Sequence, residues 1–454
     1  MPRARPAKPS VVVSGISLGL PGSRHKIFDD QNFERILRGE NLIEPLSREE
    51  QQKQLDKNIT RLVKTSRESR IETVDSAEKT VRLAAKGGKL DLKNDFGISP
   101  EFAATLDRTA ELALPAALLA LKDARIPLEN HILPRSLSQE TGIIFASALP
   151  GLSSLASELK GDRFNRHFIL KAMPLAHAQI AQWIGSKGPA IHLNAGFAST
   201  PAALSLAEDW IRLGRAKRVL VASADDATGP ELQEWVLSAF LSMGAASTGT
   251  DAAAAALPFD QRRHGTIIGM GAAGFVVEAQ EETLKRGLKP LVRIIATEQI
   301  NWGHHLTRLD AEQIIELMEK TLKKAEAAGG LERKNLSNHL LYMSHETYTP
   351  AKGGSAQSEI KALKQVFGKD FSKVLICNTK GYTGHTLGAG VEDAALIKML
   401  ETGRAPKIAN LKKPDPEFAG AKFSDGSPHR RRYGLHVALG FGSQGACVLF
   451  EKMR

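Results

Sequence analysis

Asn378-Thr-Lys380-Gly-Tyr-Thr-Gly384-His385-Thr-Leu-Gly388-Ala-Gly390 places four glycines around a lysine and a histidine. The apolar run Val374–Asn378 leads into it, and a helical pattern follows it. A strand that leaves through a glycine-rich loop into a helix is the repeating unit of layered α/β proteins. Glycines spaced this closely mean tight turns or the close approach of two backbones.

The same alternation recurs outward from this segment. Val11–Gly15, Thr141–Ala146, Arg218–Ala222 and Gly274–Glu278 read as short strands, while Leu106–Leu121 and Leu175–Ile184 carry apolar residues at helical spacing. Past residue 290 or so the alternation restarts, with strands at Val292–Ala296, Leu340–Met343 and Leu435–Gly440 and a Glu-, Lys- and Leu-rich helix at Ala311–Ala327. Two tandem halves, 11–285 and 286–454, are therefore predicted. Residues 47–105 break the pattern, because Lys, Glu, Gln, Arg and Asp dominate there. They read as an exposed, partly helical excursion from the first half.

Composition narrows the function. Of 454 residues, 42% are hydrophobic and 24% charged, which is ample material for a globular core. No run of about eighteen apolar residues occurs, so no membrane span is expected. Met1–Ser10 is basic, contains proline and precedes no apolar run, so 1–10 reads as a disordered lead-in rather than a secretory signal. Cys377 and Cys447 are the only cysteines, each within an apolar run. They predict buried thiols and a reducing cytoplasm, not a disulfide framework. No Cys/His cluster has metal-ligand spacing, and neither a metal nor a cofactor is expected. The net charge of +11 favours an acidic partner. Nucleic-acid motifs are absent and aromatics are only 6%, so an acidic protein is preferred to nucleic acid. Arg430, Arg431 and Arg432 form the densest basic cluster.

Two further glycine-rich segments bracket the first. Pro258-Phe-Asp-Gln-Arg-Arg-His-Gly265 is followed by Gly269-Met-Gly271-Ala-Ala-Gly274, and Gly440-Phe441-Gly442-Ser-Gln-Gly445 leads into the last strand. With the opening Gly15-Ile-Ser-Leu-Gly-Leu-Pro21-Gly22, the three resemble, in this order, the β-ketoacyl synthase (ketosynthase) family. The likeness runs from Val11 to Glu451 and is similar to type I polyketide and fatty-acid ketosynthases. It implies a thiolase fold: five layers, α-β-α-β-α, made of two similar halves and usually dimeric. It also implies thioesters on the phosphopantetheine arm of an acyl carrier protein.

The resemblance assigns residues one by one. Lys380 and His385 match the family's Lys-x-x-x-Gly-His. His345 to Pro350 reproduces the spacing His-x-Thr-x-Thr-Pro, which makes His345 the first histidine and places Thr347 and Thr349 beside the substrate. Counting back from Glu359 would instead select Tyr348. The preferred register needs about three extra residues around Lys352 to Gly354, and it replaces two family glycines by Glu346 and Tyr348. His305 and Thr307 resemble a segment lining the acyl tunnel, and Phe441 lies in the Gly-Phe-Gly loop. The triple arginine, just before the strand ending in that loop, is expected to guide the carrier.

The nucleophile is the departure. Counting back from Gly214, and separately from Ala203-Leu204, puts Phe197 where the family has its catalytic cysteine, and Met270 replaces the glutamate of the family's Gly-Glu-Gly. The thiolate carries the acyl chain as a thioester. A phenyl ring has no lone pair to offer. Ser199 is a poor substitute, since the helix turns its side chain away. The resemblance therefore implies a non-condensing, chain-length-factor-like partner of an active ketosynthase, as a homodimer or heterodimer. One alternative is a malonyl-carrier decarboxylase using the two histidines, and another is a ketosynthase-like scaffold domain of a larger synthase.

Overall fold

The central sheet has eleven strands among the described residues; ten carry the core, five from each half of the chain, and the short Lys422–Phe423 is an added edge. The first half supplies β1 (Val11–Gly19), β2 (Thr141–Ala146), β3 (Ala190–Leu193), β4 (Arg218–Asp226) and β5 (Met270–Ala279). The second supplies β6 (Val292–Asn301), β7 (Leu340–Met343), β8 (Leu375–Cys377), β9 (Tyr433–Gly440) and β10 (Gln444–Lys452). A computed structural model describes residues 9–64, 69–304, 309–329, 331–349 and 354–453. Most of the lead-in therefore lies outside the described residues.

The halves share one topology. The first runs β3-β2-β4-β5-β1 and the second β8-β7-β9-β10-β6, so in both the spatial order is third, second, fourth, fifth, first. Strand directions match too. β4, β2 and β3 are mutually parallel, as are β9, β7 and β8, while the other pairings within each half are antiparallel. β1 and β6 meet along a short antiparallel register, Val12 opposite Arg293 and Val13 opposite Val292.

Helices complete five layers. α1 (Arg108–Asp123) and α2 (Ala176–Ile184) cover the outer face of the first sheet. α3 (Ser199–Arg212) lies between the two sheets with a matching helix of the second half, Val391–Thr402. The second outer face is covered by Ala311–Gly329 and Ser355–Phe367. The middle cluster is dense in small and branched residues such as Ala203, Ala207, Ala394 and Val221, because it is covered by a sheet on both sides. With α4 (Gln233–Ser242) preceding them, the three later helices are α5 (Ala311–Gly329), α6 (Ser355–Phe367) and α7 (Val391–Thr402).

The polar excursion holds more order than its sequence promised. Ser47 and Glu50 cap the helix Arg48–Leu55 reciprocally. Thr60–Lys64 and Ser69–Thr73 then form a hairpin that the polar residues had concealed. Leu46, Leu55, Ile59, Val74 and Val81 pack on Leu237, Phe240 and Leu241 of α4, so the excursion fixes that helix in place. Among the described residues no helix is long and apolar enough to cross a membrane.

Close packing of α1 on the sheet depends on two glycines. A Cβ on Gly15 would lie 2.5 Å from the Ala120 carbonyl oxygen, and one on Gly274 would lie 2.3 Å from that of Ala116. Both obstacles are backbone, which cannot swing aside. Gly274→Ala should therefore lower stability by about 1–3 kcal/mol in urea unfolding, the usual cost of overpacking. Gly161→Ala, whose nearest neighbour would be 3.5 Å away, should stay within about 0.5 kcal/mol of wild type. Equal effects of the two changes would remove the close-approach argument.

Candidate functional site

Loops at the carboxyl ends of parallel strands are where α/β sheets present ligand sites. β3 passes through 194–198 into α3, and β8 passes through 378–390 into α7, so the two loops occupy matching stations in the two halves. In the first loop, Gly196 takes φ +58, and a Cβ there would lie 3.0 Å from the Phe441 amide nitrogen. A Cβ on Gly440 would lie 2.1 Å from the Ala195 carbonyl oxygen. The Gly-Phe-Gly turn thus lies directly against the bend that carries Phe197. Ser199 is fully buried, accepting from the Ala195 amide at 3.0 Å and donating to the Gly196 carbonyl at 2.5 Å. It braces the bend from within the core.

Four rings meet at this bend. The Phe197 and His385 centroids are 4.6 Å apart at 77°, and Phe197 and Phe441 are 4.6 Å apart at 53°. Phe240 of α4 stands 6.2 Å from Phe197 and 6.1 Å from Phe441. Behind His385 comes His345, 5.7 Å away and perpendicular. Edge-to-face pairs of this kind exceed their area burial by about 0.5–1.5 kcal/mol. Tyr348 lies elsewhere, in a cluster with Ile43, Leu83, Ala85 and Ile267. It adopts φ +48, and its buried hydroxyl accepts from the Ile267 amide and donates to the Lys380 carbonyl.

Electrostatics keep the imidazoles neutral. Burial holds both His345 and His385 well below the usual histidine range, and the Lys380 charge pushes each further down. Lys380 is itself buried and ion-paired with Glu392 at 2.7 Å. Among the described residues, neither ring nitrogen of His385 has a hydrogen-bond partner. A neutral imidazole offers one donor and one acceptor, so the pair can polarise a carbonyl without adding net charge. Asp225 anchors the loop holding His385. Its carboxylate accepts from the Ser147 hydroxyl and from the amides of Ala148, Leu149 and Gly388. Burial pushes that carboxyl up to about 6, against the pull of these four donors.

The structure brings Phe197, Phe441, His385, His345 and Lys380 together. Thr347 and Thr349 are half-buried in the loop after His345, where the Thr347 amide donates to Ser355 Oγ at the start of α6. His305, Thr307 and Lys352 lie outside the described residues. The arginine cluster does not reach this site. It precedes β9, whereas Phe441 follows that strand, and eight strand residues span about 26 Å. Arg432 is tied to Glu451 at 2.5 Å and Arg431 donates to the Asn338 carbonyl, leaving Arg430 exposed. Of the three arginines expected to dock a carrier, Arg430 is thus the exposed one. Cys377 and Cys447 are buried free thiols, and burial pushes Cys447 up to about 12. Among the described residues no group of three His, Cys, Asp or Glu could hold a metal ion. Phe240 and Asp225 had no motif to announce them, since each reaches the site through long-range packing.

Comparison with known proteins gives a consistent answer. The family model for the β-ketoacyl synthase N-terminal domain matches residues 8–283, and that for the C-terminal domain matches 295–412. The 3-oxoacyl-[acyl-carrier-protein] synthase 2 of Staphylococcus aureus (strain N315) is 25% identical over 412 residues, covering 86% of this chain and 94% of the relative. A β-ketoacyl synthase structure from Burkholderia phymatum STM815 superposes with TM-score 0.79 at 21% identity, covering 98% of this chain and all of the other. The ishigamide ketosynthase/chain length factor gives TM-score 0.79 at 17% identity, covering 99% and 100%. At these identities the structural matches establish the thiolase fold.

One buried acid beside His345 yields a pH test. Glu359 accepts from the Tyr342 hydroxyl at 2.7 Å and from the His345 amide at 3.1 Å, yet burial pushes it up to about 8. Unfolded glutamate titrates near 4.3. Between those values the folded chain keeps a proton that the unfolded chain releases. Its contribution to stability therefore falls as pH rises through that window, by up to about 1.4 kcal/mol per unit, and levels off above it. Glu359→Gln cannot ionise. In urea unfolding it should gain on wild type from pH 5 to pH 8. A difference independent of pH would mean that Glu359 stays charged.

Proposed function

The chain belongs to the β-ketoacyl synthase family, and on that footing we propose that it is a non-condensing ketosynthase homologue of fatty-acid or polyketide biosynthesis. Its role is that of a partner subunit that shapes the acyl site of an active ketosynthase. The observation that carries this reading is the Phe197 ring, packed 4.6 Å from both His385 and Phe441. Condensation needs a nucleophile at the bend to accept the acyl group. A phenyl ring cannot, and here it also covers one side of His385. Ser199, the nearest hydroxyl, is committed to the bend itself.

A partner surface supports the same reading. β3 is the edge strand of the first sheet and leaves Ala190 and Ile191 exposed just before the bend. Leu155, Leu159, Phe164, Ile169 and Met173 add exposed apolar area on the segment 152–173. Unprotected edges and contiguous apolar patches mark association surfaces. The acyl carrier protein is the second partner, reached through its phosphopantetheine thioester.

A decarboxylase acting on malonyl carrier is the second reading, favoured by the two nitrogens of His385 that lack partners among the described residues. Two neutral imidazoles can hold the enolate left when carbon dioxide departs.

Incubation of wild type with acyl carrier should leave its intact mass unchanged, while Phe197→Cys, which places a thiol at a helix start, should gain one acyl group. A stable adduct on wild-type Ser199 would overturn the non-nucleophilic reading. Co-expression with the ketosynthase of the same organism should give a one-to-one complex. Recovery of homodimers alone would remove the partner role, and carbon dioxide release from malonyl carrier would favour the second reading.

A further inference from the structure

Tyr348 stands three residues past His345 in a backbone conformation that bulky side chains rarely adopt, φ +48. Strain of that kind persists only where surrounding contacts over-determine it. Here they do. The side chain is fully buried, and the Gly265 amide donates to the Tyr348 carbonyl at 3.0 Å. The hydroxyl accepts from the Ile267 amide and donates to the Lys380 carbonyl, both at 3.3 Å. Burial pushes the phenol far above its usual range, so the hydroxyl keeps the proton that it donates.

Both partners of that hydroxyl lead to His385. The Ile267 carbonyl accepts from the His385 amide at 2.7 Å, and the Gly269 amide donates to the His385 carbonyl at 2.9 Å. Segments 267–269 and 383–385 touch backbone to backbone. A Cβ on Gly269 would stand 2.1 Å from the Thr383 carbonyl oxygen, and one on Gly384 3.0 Å from the Gly269 amide nitrogen. A shift of one segment is therefore passed to the other. Lys380 opens the loop that carries His385. Neither ring nitrogen of His385 has a partner among the described residues, so no side-chain hydrogen bond orients the ring. Its place is set by the backbone beneath it and by the rings of Phe197 and His345.

We propose that Tyr348 is a positioning residue, whose hydroxyl ties the His345 loop to the His385 loop and so sets one imidazole against the other. The proposal rests on the reading in which both imidazoles act on a malonyl thioester. Two groups that serve one oxygen must hold their spacing to within about 0.5 Å. The perpendicular rings, 5.7 Å apart, owe that spacing to backbone alone, and the Tyr348 hydroxyl is the side-chain atom that joins the two backbones. Tyr348 itself touches no substrate. Phenylalanine in its place would keep the ring and its packing on Ile43, Leu83 and Ile267, and would lose only the tie.

The test is Tyr348→Phe in the full chain. In spectra of 15N-histidine-labelled protein, the His385 ring resonances should shift and broaden, while those of His192, packed on Phe145 in the first sheet, should stay in place. For carbon dioxide release from malonyl carrier, kcat should fall about ten- to a hundred-fold with KM unchanged, the size of loss expected when a group is misplaced by about an ångström. A purely structural Tyr348 would lower the urea midpoint and leave the His385 resonances unmoved, which would overturn the proposal. Should the variant not fold, hydrogen exchange of the wild type decides: the Ile267 and His385 amides must open as one unit, and independent opening sinks the idea. A wild type that releases no carbon dioxide removes the decarboxylase reading, while the His385 resonances of Tyr348→Phe still decide whether the hydroxyl positions that ring.

Discussion

The carboxylate of Asp225 holds the site together. It lies near the end of β4, and its oxygens gather Ser147, Ala148 and Leu149 from the loop after β2 together with Gly388 from the other half of the chain. Ser223, on the same strand, accepts from the Gly390 amide, and Thr200 of α3 donates to the Gly388 carbonyl. These contacts lock the loop that carries His385 onto the helix that follows Phe197. Without them the two halves would meet mainly through the apolar middle layer, which is non-directional and fixes no ring against another. A buried carboxylate stripped of its donors would be costly, so the loops and the acid enforce each other.

What could be read from the sequence follows from the range of each interaction. Thr141–Ala146 and Leu340–Met343 form as the apolar runs predict, because strand burial is written locally. Gly384 and Gly440 were legible as turns or close approaches for the same reason. The hairpin of Thr60–Lys64 and Ser69–Thr73 was hidden because polar and charged residues outnumber apolar ones in both strands. Asp225 could not be found, because its partners lie 76 to 163 residues away.

The aromatic bend also shows how a tight turn can hold a bulky ring in one place. The backbone features that position a group there, the positive φ of Gly196 and the bare Cα of Gly440, are in place. Phe240 and Phe441 give the phenyl ring an aromatic bed. Lys380 and Glu392 neutralise each other beneath the histidines. The tight backbone of the bend therefore seats a phenyl ring against two further phenylalanines and a histidine.

The shared strand order has a consequence for synthesis on the ribosome. In each half the first strand pairs with the fifth, so β1 waits for β5, about 250 residues later, and β6 waits for β10. At ordinary elongation rates of about 5–20 residues per second, Val11–Gly19 leaves the exit tunnel on the order of tens of seconds before its partner. For that interval its nine buried residues have only water, chaperones or other nascent chains to meet. Codon tempo between residues 20 and 270 thus becomes a determinant of yield, although it leaves no trace in the finished molecule.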